Sequence, residues 1–476
     1  MLNMGIDYKL FSKEKVEKAL LKFAVPAMIS LLVMELYNMV DTFFVGLAIG
    51  PKAIGALTIA FPVQRLMSSL GMMIAVGAST AVARSLGKKD YDNLKSVILN
   101  AINITVVIMV VLTFIISIFK KDMITGLLGA SQSIYPYAKE YISIVVLGGL
   151  FQALTLVICY IMTSLGYTNI TLKATSVGAI LNVIIDYFLV MHLNFGVAGA
   201  AIATVFSQTV ALVYAIYKFN KVRKKIGLNL KLNFELKLDI LKPILAVGFS
   251  TFIIEISDAV VAVILNNILS IYGGDKALVI VGVTTKISMF LFITVIGISS
   301  AMQPIAAFNY GAKNLVRVKE VVIKTIVAVT GATLILWAVM LIFANPIIGL
   351  FLKDRSLLGE TVKAFRIIIS LFPTIGIYYV SIYYYQSMGK ARTSLILSVY
   401  RQMIIFIPLL FILVGKFDIM GAWIAYPISD LISAITGVIY VRVALKEKNK
   451  AIEAQEYEKE KKDKAFKGRS VEVGGL

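Results

Sequence analysis

One cysteine, one histidine and two tryptophans are all that 476 residues hold of those types, and each shortage removes a class of function. The lone thiol, Cys159, leaves no internal disulfide to staple a small domain. The lone imidazole, His192, cannot build a histidine zinc centre, and no Gly-x-Gly-Asp run supplies the acid of an intramembrane aspartyl protease. An enzyme is not expected. Charge is scarce as well: 16% of residues are Asp, Glu, Lys or Arg, against about 25% in a soluble domain. What charge there is leans positive, with 47 basic residues to 27 acidic. These basic residues sit in short segments between apolar runs, which is the signature of membrane topology and not of a nucleic-acid partner. Hydrophobic residues make up 59% of the chain, so its solvent is membrane lipid. No resident cofactor is expected.

Apolar runs of about 20 residues, long enough to cross a bilayer as helices, fall near 20–47, 54–83, 96–119, 137–161, 169–191 and 195–217. Six more fall near 242–270, 277–307, 321–351, 361–387, 393–414 and 417–445. We number them spans 1 to 12. Lys and Arg crowd the N-terminus, the 84–95 loop (Arg84, Lys88, Lys89, Lys95), the 218–241 segment, the 310–320 loop and the C-terminus. The intervening connections hold few, so the positive-inside rule places both termini in the cytoplasm of a multi-pass protein of the cell membrane. Residues 1–19 are expected to form an amphipathic cytoplasmic segment, with span 1 serving as the insertion signal. The tail, 446–476, alternates Lys and Glu and is expected to be a solvated helix that frays.

The chain also repeats itself. Ser85-Leu86-Gly87-Lys88-Lys89-Asp90 matches Asn309-Tyr310-Gly311-Ala312-Lys313-Asn314 at a shift of 224 residues. Leu165-Gly166 matches Met388-Gly389 at 223, and Gly199-Ala200-Ala201-Ile202-Ala203 matches Gly421-Ala422-Trp423-Ile424-Ala425 at 222. Each copy holds six spans, an even number, so both start on the same side of the membrane. They are then related by a parallel pseudo-twofold axis along the membrane normal. The expected fold is all-α and integral to the membrane: an N-terminal lobe over 20–217, a basic linker over 218–241 and a C-terminal lobe over 242–445. Duplicated apolar lobes point to a secondary transporter with its substrate path between the halves. A monomer is expected to suffice.

An ionisable side chain inside a bilayer costs at least about 2.5 kcal/mol on insertion scales, so each one demands a reason. The first half carries Glu35 and Asp41 on span 1, Arg65 on span 2 and Asp186 on span 5. At 1.5 Å per residue, Asp41 and Asp186 both lie roughly 8–9 Å below the outer ends of their spans. Tyr37 stands four residues before Asp41 and Asn182 four before Asp186, so each acid has a polar neighbour on its own helix face. Thr204, on span 6, falls within a turn or two of that depth. If these faces converge, the pocket takes up and releases a proton, or holds Na+ on Asp41, Asp186 and Asn182. Otherwise Asp41 caps a nearby backbone and Asp186 sits at the headgroup boundary. Asp186 corresponds to Leu409 in the repeat, and Asp41 to Val263, or to Asp258 when Pro26 is aligned on Pro243. On either alignment the acid pair is confined to the first half.

The second half has Glu255 and Asp258 on span 7, Lys286 on span 8, Arg401 and Gln402 on span 11 and Asp430 on span 12. Glu255 and Lys286 share a depth and read either as a charge-neutralising pair or as part of a cleft. Tyr378, Tyr379, Tyr383, Tyr384, Tyr385 and Gln386 near the end of span 10 read as an interfacial belt. The alternative turns Tyr383, Gln386 and Arg401 towards a substrate cleft, with aromatic rings that stack on a flat organic cation.

These features together resemble the MATE (multidrug and toxic compound extrusion) family. Pro26 followed by Tyr37-Asn38-Met39-Val40-Asp41-Thr42-Phe43-Phe44-Val45-Gly46 resembles its first span, and Asn182-Val183-Ile184-Ile185-Asp186 its fifth. Gly196-Val197-Ala198-Gly199-Ala200-Ala201 is similar to the opening of its sixth, and Tyr385-Gln386-Ser387-Met388-Gly389-Lys390 to the exit of its tenth. The resemblance implies two six-helix lobes in a V and export of small amphipathic, often cationic organic compounds against inward H+ or Na+. It implies that the coupling ion binds Asp41, Asn182 and Asp186, with Tyr37 and Thr204 in support, and that span 1 bends at Pro26. The family's other pattern, with acids on spans 7 and 10, is incomplete here: Glu255 is present, but Ile369-Ser370-Leu371-Phe372-Pro373-Thr374 holds no acid. A rival reading within the same superfamily is a flippase for a lipid-linked oligosaccharide, for which Arg65, Lys173 and Arg401 are the available cations.

Overall fold

A computed structural model describes residues 8–230, 234–352 and 355–473, apart from the side chains at 37, 38 and 459–473. The described residues are helical nearly throughout, as expected where lipid offers the backbone no partner. Spans 1 to 6 are Val16–Ala48, Pro51–Lys88, Tyr91–Ile118, Tyr135–Ser164, Asn169–Asp186 continued by a π-helical turn at Tyr187–His192, and Gly196–Lys225. Leu238–Gly311 holds spans 7 and 8, broken at Gly274. Span 9 is Leu315–Ile342. Span 10 is built from Leu358–Ile368, a 3-10 turn at Phe372–Ile375, and Gly376–Ser387. Span 11 begins at Ala391–Val399 and passes through a wide π-helical turn at Tyr400–Phe406. The helix Ile407–Val473 completes span 11, breaks at Asp418 and carries span 12 on into the tail. Among the described residues, ten helical stretches are long and apolar enough to cross a membrane, and with those two breaks they make twelve crossings.

The repeat extends to the backbone. Among the described residues, eight of the eleven left-handed residues fall in pairs one repeat apart: Gly50 with Gly274, Lys89 with Lys313, Gly166 with Gly389, and Asn194 with Asp418. Asp90 caps span 3 by accepting from the Asn93 N–H at 3.1 Å, and Asn314 caps span 9 by accepting from the Arg317 N–H at 3.1 Å. Since Gly50 and Gly274 close equivalent spans 224 residues apart, the counterpart of Asp41 is Leu265. That replaces both sequence-based alignments, Val263 and Asp258, because the turn after a span registers it more firmly than a proline within it.

The lobes are sealed at one end of the bundle, where Lys88, Lys89 and Lys313 lie; we call it the basic end. A Cβ added to Gly87 would fall 1.9 Å from the Phe308 carbonyl oxygen, and one added to Gly311 would fall 2.1 Å from that of Arg84. Those two contacts exchange under the repeat, so the pseudo-twofold axis passes between spans 2 and 8 here. Gly77 against Ile244 and Gly248 against Met73 pack spans 2 and 7 in the same manner, at 2.0 and 1.8 Å. Arg84 adds a polar clasp, donating to the Ser387 and Gln386 carbonyls at the end of span 10 at 3.1 and 3.4 Å. Glycines nearer the other end (Gly46, Gly55, Gly273) touch only their own lobe.

The short helix Tyr8–Ser12 also lies at the basic end. Phe11 is fully buried, stacks on Phe308 at 4.9 Å, and accepts at its carbonyl from Asn309. Tyr8 and Tyr91 share a hydroxyl hydrogen bond at 2.9 Å. At the start of the tail, Glu447 pairs with Lys390 at 2.8 Å and Lys448 lies over the Tyr310 ring.

Candidate ion and substrate sites

Depth placed Asp41 and Asp186 together, and their faces do converge inside the first lobe. Asp41 is 5% exposed; Asn182, Asp186 and Thr204 are fully buried. Thr204 donates to Asp41 Oδ2 at 3.3 Å. Asp186 and Asn182 are the other immediate polar neighbours of Asp41. Among the described residues, Asp41 Oδ1, both Asp186 oxygens and both polar atoms of Asn182 have no hydrogen-bond partner. Orphaned polar atoms at such density are rare in a folded interior, because each costs about 1–3 kcal/mol and an ionised one more. The donor set is all oxygen apart from the Asn182 amide nitrogen, which suits a proton or a hard monovalent cation and would serve thiophilic metals poorly. Tyr37 belongs to this group by sequence, but its side chain lies outside the described residues.

The sequence reading missed Tyr141. Its buried ring sits among Asp41, Asp186, Thr204 and Gln64. The depth count used for the acids would have found it, since Tyr141 is six residues into span 4, about 9 Å from its start. A cavity of about 210 Å³, lined by Asp41, Leu57, Phe61, Gln64 and Tyr141 among others, opens beside the pair. It reaches Asp41 and not Asp186, and has room for several waters.

Pro26 lies inside the span 1 helix, with its carbonyl accepting from the Ser30 hydroxyl at 2.7 Å. Proline offers no N–H to the turn before it, so the helix is weakest there.

The second-lobe residues fall out differently. Glu255 does not pair with Lys286; it meets Arg65 of the other lobe, at 2.6 Å. Lys286 is exposed and makes no ion pair among the described residues. Sequence depth could match Glu255 with Lys286 but could not show which face of span 8 turns inward. Arg401 is no free cleft cation: it binds Asp430 through Nε at 3.2 Å and Nη2 at 2.9 Å, and both side chains are at most 5% exposed. Gln402 donates to Asp258 from the same π-helical turn. Gln386 is fully buried and used up by Gln303, Ser250 and Thr251 at 2.6, 2.7 and 3.1 Å, so it holds spans 7, 8 and 10 together and lines no cleft. The five tyrosines of span 10 form no interfacial belt, since all are buried. Tyr383 neighbours Glu255 and, in the first lobe, Tyr160.

A profile of the MatE family matches residues 26–188 and again 249–412, one repeat apart. The multidrug export protein MepA of Staphylococcus saprophyticus is 26% identical over 436 residues, covering 90% of this chain and 94% of that protein. MepA of Staphylococcus aureus is similar to the same extent. The crystal structure of a MATE protein in a bent conformation superposes with a TM-score of 0.87 at 24% identity, covering 93% of this chain and 98% of that one.

Proposed function

Since this chain belongs to the MATE family, we propose that it is a cation-coupled antiporter, driven by H+ or Na+, that exports amphipathic, often cationic compounds across the cell membrane by alternating access. Its relatives named multidrug export proteins support the cargo class. The observation that carries the coupling is the unpartnered Asp41–Asn182–Asp186 cluster. Two carboxylates facing each other, with the Thr204 hydroxyl donating to Asp41, cannot both stay ionised cheaply. Uptake of a proton or Na+ supplies the missing partner, with Asp41, Asn182, Asp186 and Thr204 as the holding groups.

The ion arrives through the cavity at Asp41 and is shared with Asp186 behind it. Neutralising the pair lets spans 1, 5 and 6 close on one another, with span 1 adjusting at Pro26. That repacking expels substrate from the first-lobe side of the cleft; release of the ion on the cytoplasmic side resets the pair. Both termini are taken as cytoplasmic and the working unit as one chain. The gradient is adequate: one charge crossing about 100 mV is worth about 2.3 kcal/mol, roughly fifty-fold in concentration. The flippase reading is weaker, because Arg401 is locked to Asp430 and Arg65 stands among Glu255, Glu35 and Asp258, an acidic setting ill suited to a pyrophosphate.

The test is ethidium efflux from reconstituted vesicles with a proton gradient or a Na+ gradient imposed alone. Efflux under one of them supports the reading. Efflux under neither, alongside movement of a fluorescent lipid-linked sugar, would replace it with the flippase.

A further inference from the structure

The coupling mechanism makes no use of the Arg65–Glu255 pair, and that pair differs from the other salt bridges here. It joins the lobes at mid-span, whereas the Lys324–Glu17 bridge between them lies at the basic end. It is partly open, with side chains 33% and 29% exposed, while Arg401–Asp430 is shut. The contact runs from Arg65 Nη2 to Glu255 Oε2. Its surroundings are acidic: Glu35 of span 1 and Asp258 of span 7 both act on these two residues. The nearby cation Arg401 is locked to Asp430, and Lys286 makes no ion pair among the described residues.

We propose that Arg65 is a specificity-determining residue whose guanidinium holds the cation position on Glu255 until an exported cation displaces it. The inference rests on the export reading above and names one of its contacts. A pair whose side chains are about a third exposed is weak enough to break in the cleft. An incoming organic cation replaces the charge that Arg65 withdraws, so Glu255 is never left alone. A neutral compound offers no such replacement and leaves the bridge closed. Because the bridge ties the lobes at mid-span, its exchange also loosens them just above the glycine-tight crossing of spans 2 and 7.

The test is equilibrium dialysis of ethidium, and of uncharged phenanthridine at neutral pH, against the full chain in lipid nanodiscs. Arg65→Gln removes the competitor and should tighten ethidium about fivefold while leaving phenanthridine unchanged. Glu255→Gln should weaken ethidium, and adding Arg65→Gln to it should then change nothing. The charge-swapped double variant Arg65→Glu, Glu255→Arg should bind ethidium as the wild type does, and it carries the test if Arg65→Gln does not fold. Weaker ethidium binding in Arg65→Gln, equal shifts for both compounds, or independent effects of the two substitutions would overturn the proposal with the export reading intact. Failure of the wild-type chain to bind or export ethidium at all would remove both.

Discussion

The two lobes share a backbone plan down to their left-handed turns, yet they treat buried charge in opposite ways. In the second lobe, Asp430 is held by Arg401 and Asp258 by Gln402. In the first, Asp41 and Asp186 face each other, Thr204 donates to Asp41, and among the described residues Asn182 has no hydrogen-bond partner. A satisfied pair is scaffold: nothing is gained by changing its charge state. An unsatisfied pair is poised, because a proton or a cation is the cheapest way to complete it. Duplication supplied two copies of the frame, and only the first has acids at the Asp41 and Asp186 positions.

The sharpest way to break this comparison is to remove the charge on each side. Asp41→Asn and Asp186→Asn should each reduce gradient-driven ethidium efflux to the leak of empty vesicles. Their thermal unfolding should be unchanged or higher, because an unpartnered buried charge is lost. Wild-type efflux by either variant would remove that carboxylate from the coupling. Asp430→Asn should do the reverse, leaving Arg401 buried without compensation at a cost of about 3–5 kcal/mol. Its unfolding midpoint should fall sharply, and the apolar double variant Arg401→Met, Asp430→Leu should recover most of the loss.

A smaller effect tests the seal that the lobes share. Gly87→Ala or Gly311→Ala puts a methyl where a carbonyl oxygen already stands, costing the closed basic end about 1–3 kcal/mol. A Met73→Cys reporter on a Cys159→Ala background, nearly inaccessible in the closed form, should then react faster with a water-soluble maleimide. No change in labelling would show that the seal is set elsewhere. The smallest effect is expected from Thr204→Val, which removes the recorded donor to Asp41. The ion concentration for half-maximal efflux should shift about fivefold, for a hydrogen bond worth about 1 kcal/mol.

Much of the architecture was legible in the sequence because it is written locally. A run of apolar residues spans a bilayer whatever its neighbours are, and the two halves repeat residue types that their shared turns require: Lys89 and Lys313 in the left-handed region, Asp90 and Asn314 as caps. Asp41, Asn182 and Asp186 could be grouped by depth, since helical rise converts residue number into height. Tyr141 was open to the same count. Depth says nothing of azimuth, however, and there the pairing of Glu255 with Lys286, the cleft placement of Gln386 and Arg401 and the belt reading of the span 10 tyrosines went astray.

By itself, then, the order of residues determined the twelve crossings, their pairing by repeat and the height of each charge, all of which follow from hydropathy and the fixed geometry of one helix. Which charges meet was decided only when the helices packed. Glu255 found Arg65 across the lobes, Arg401 was claimed by Asp430, and the first-lobe acids were left facing each other, because a side chain's partner depends on how neighbouring helices are turned about their own axes.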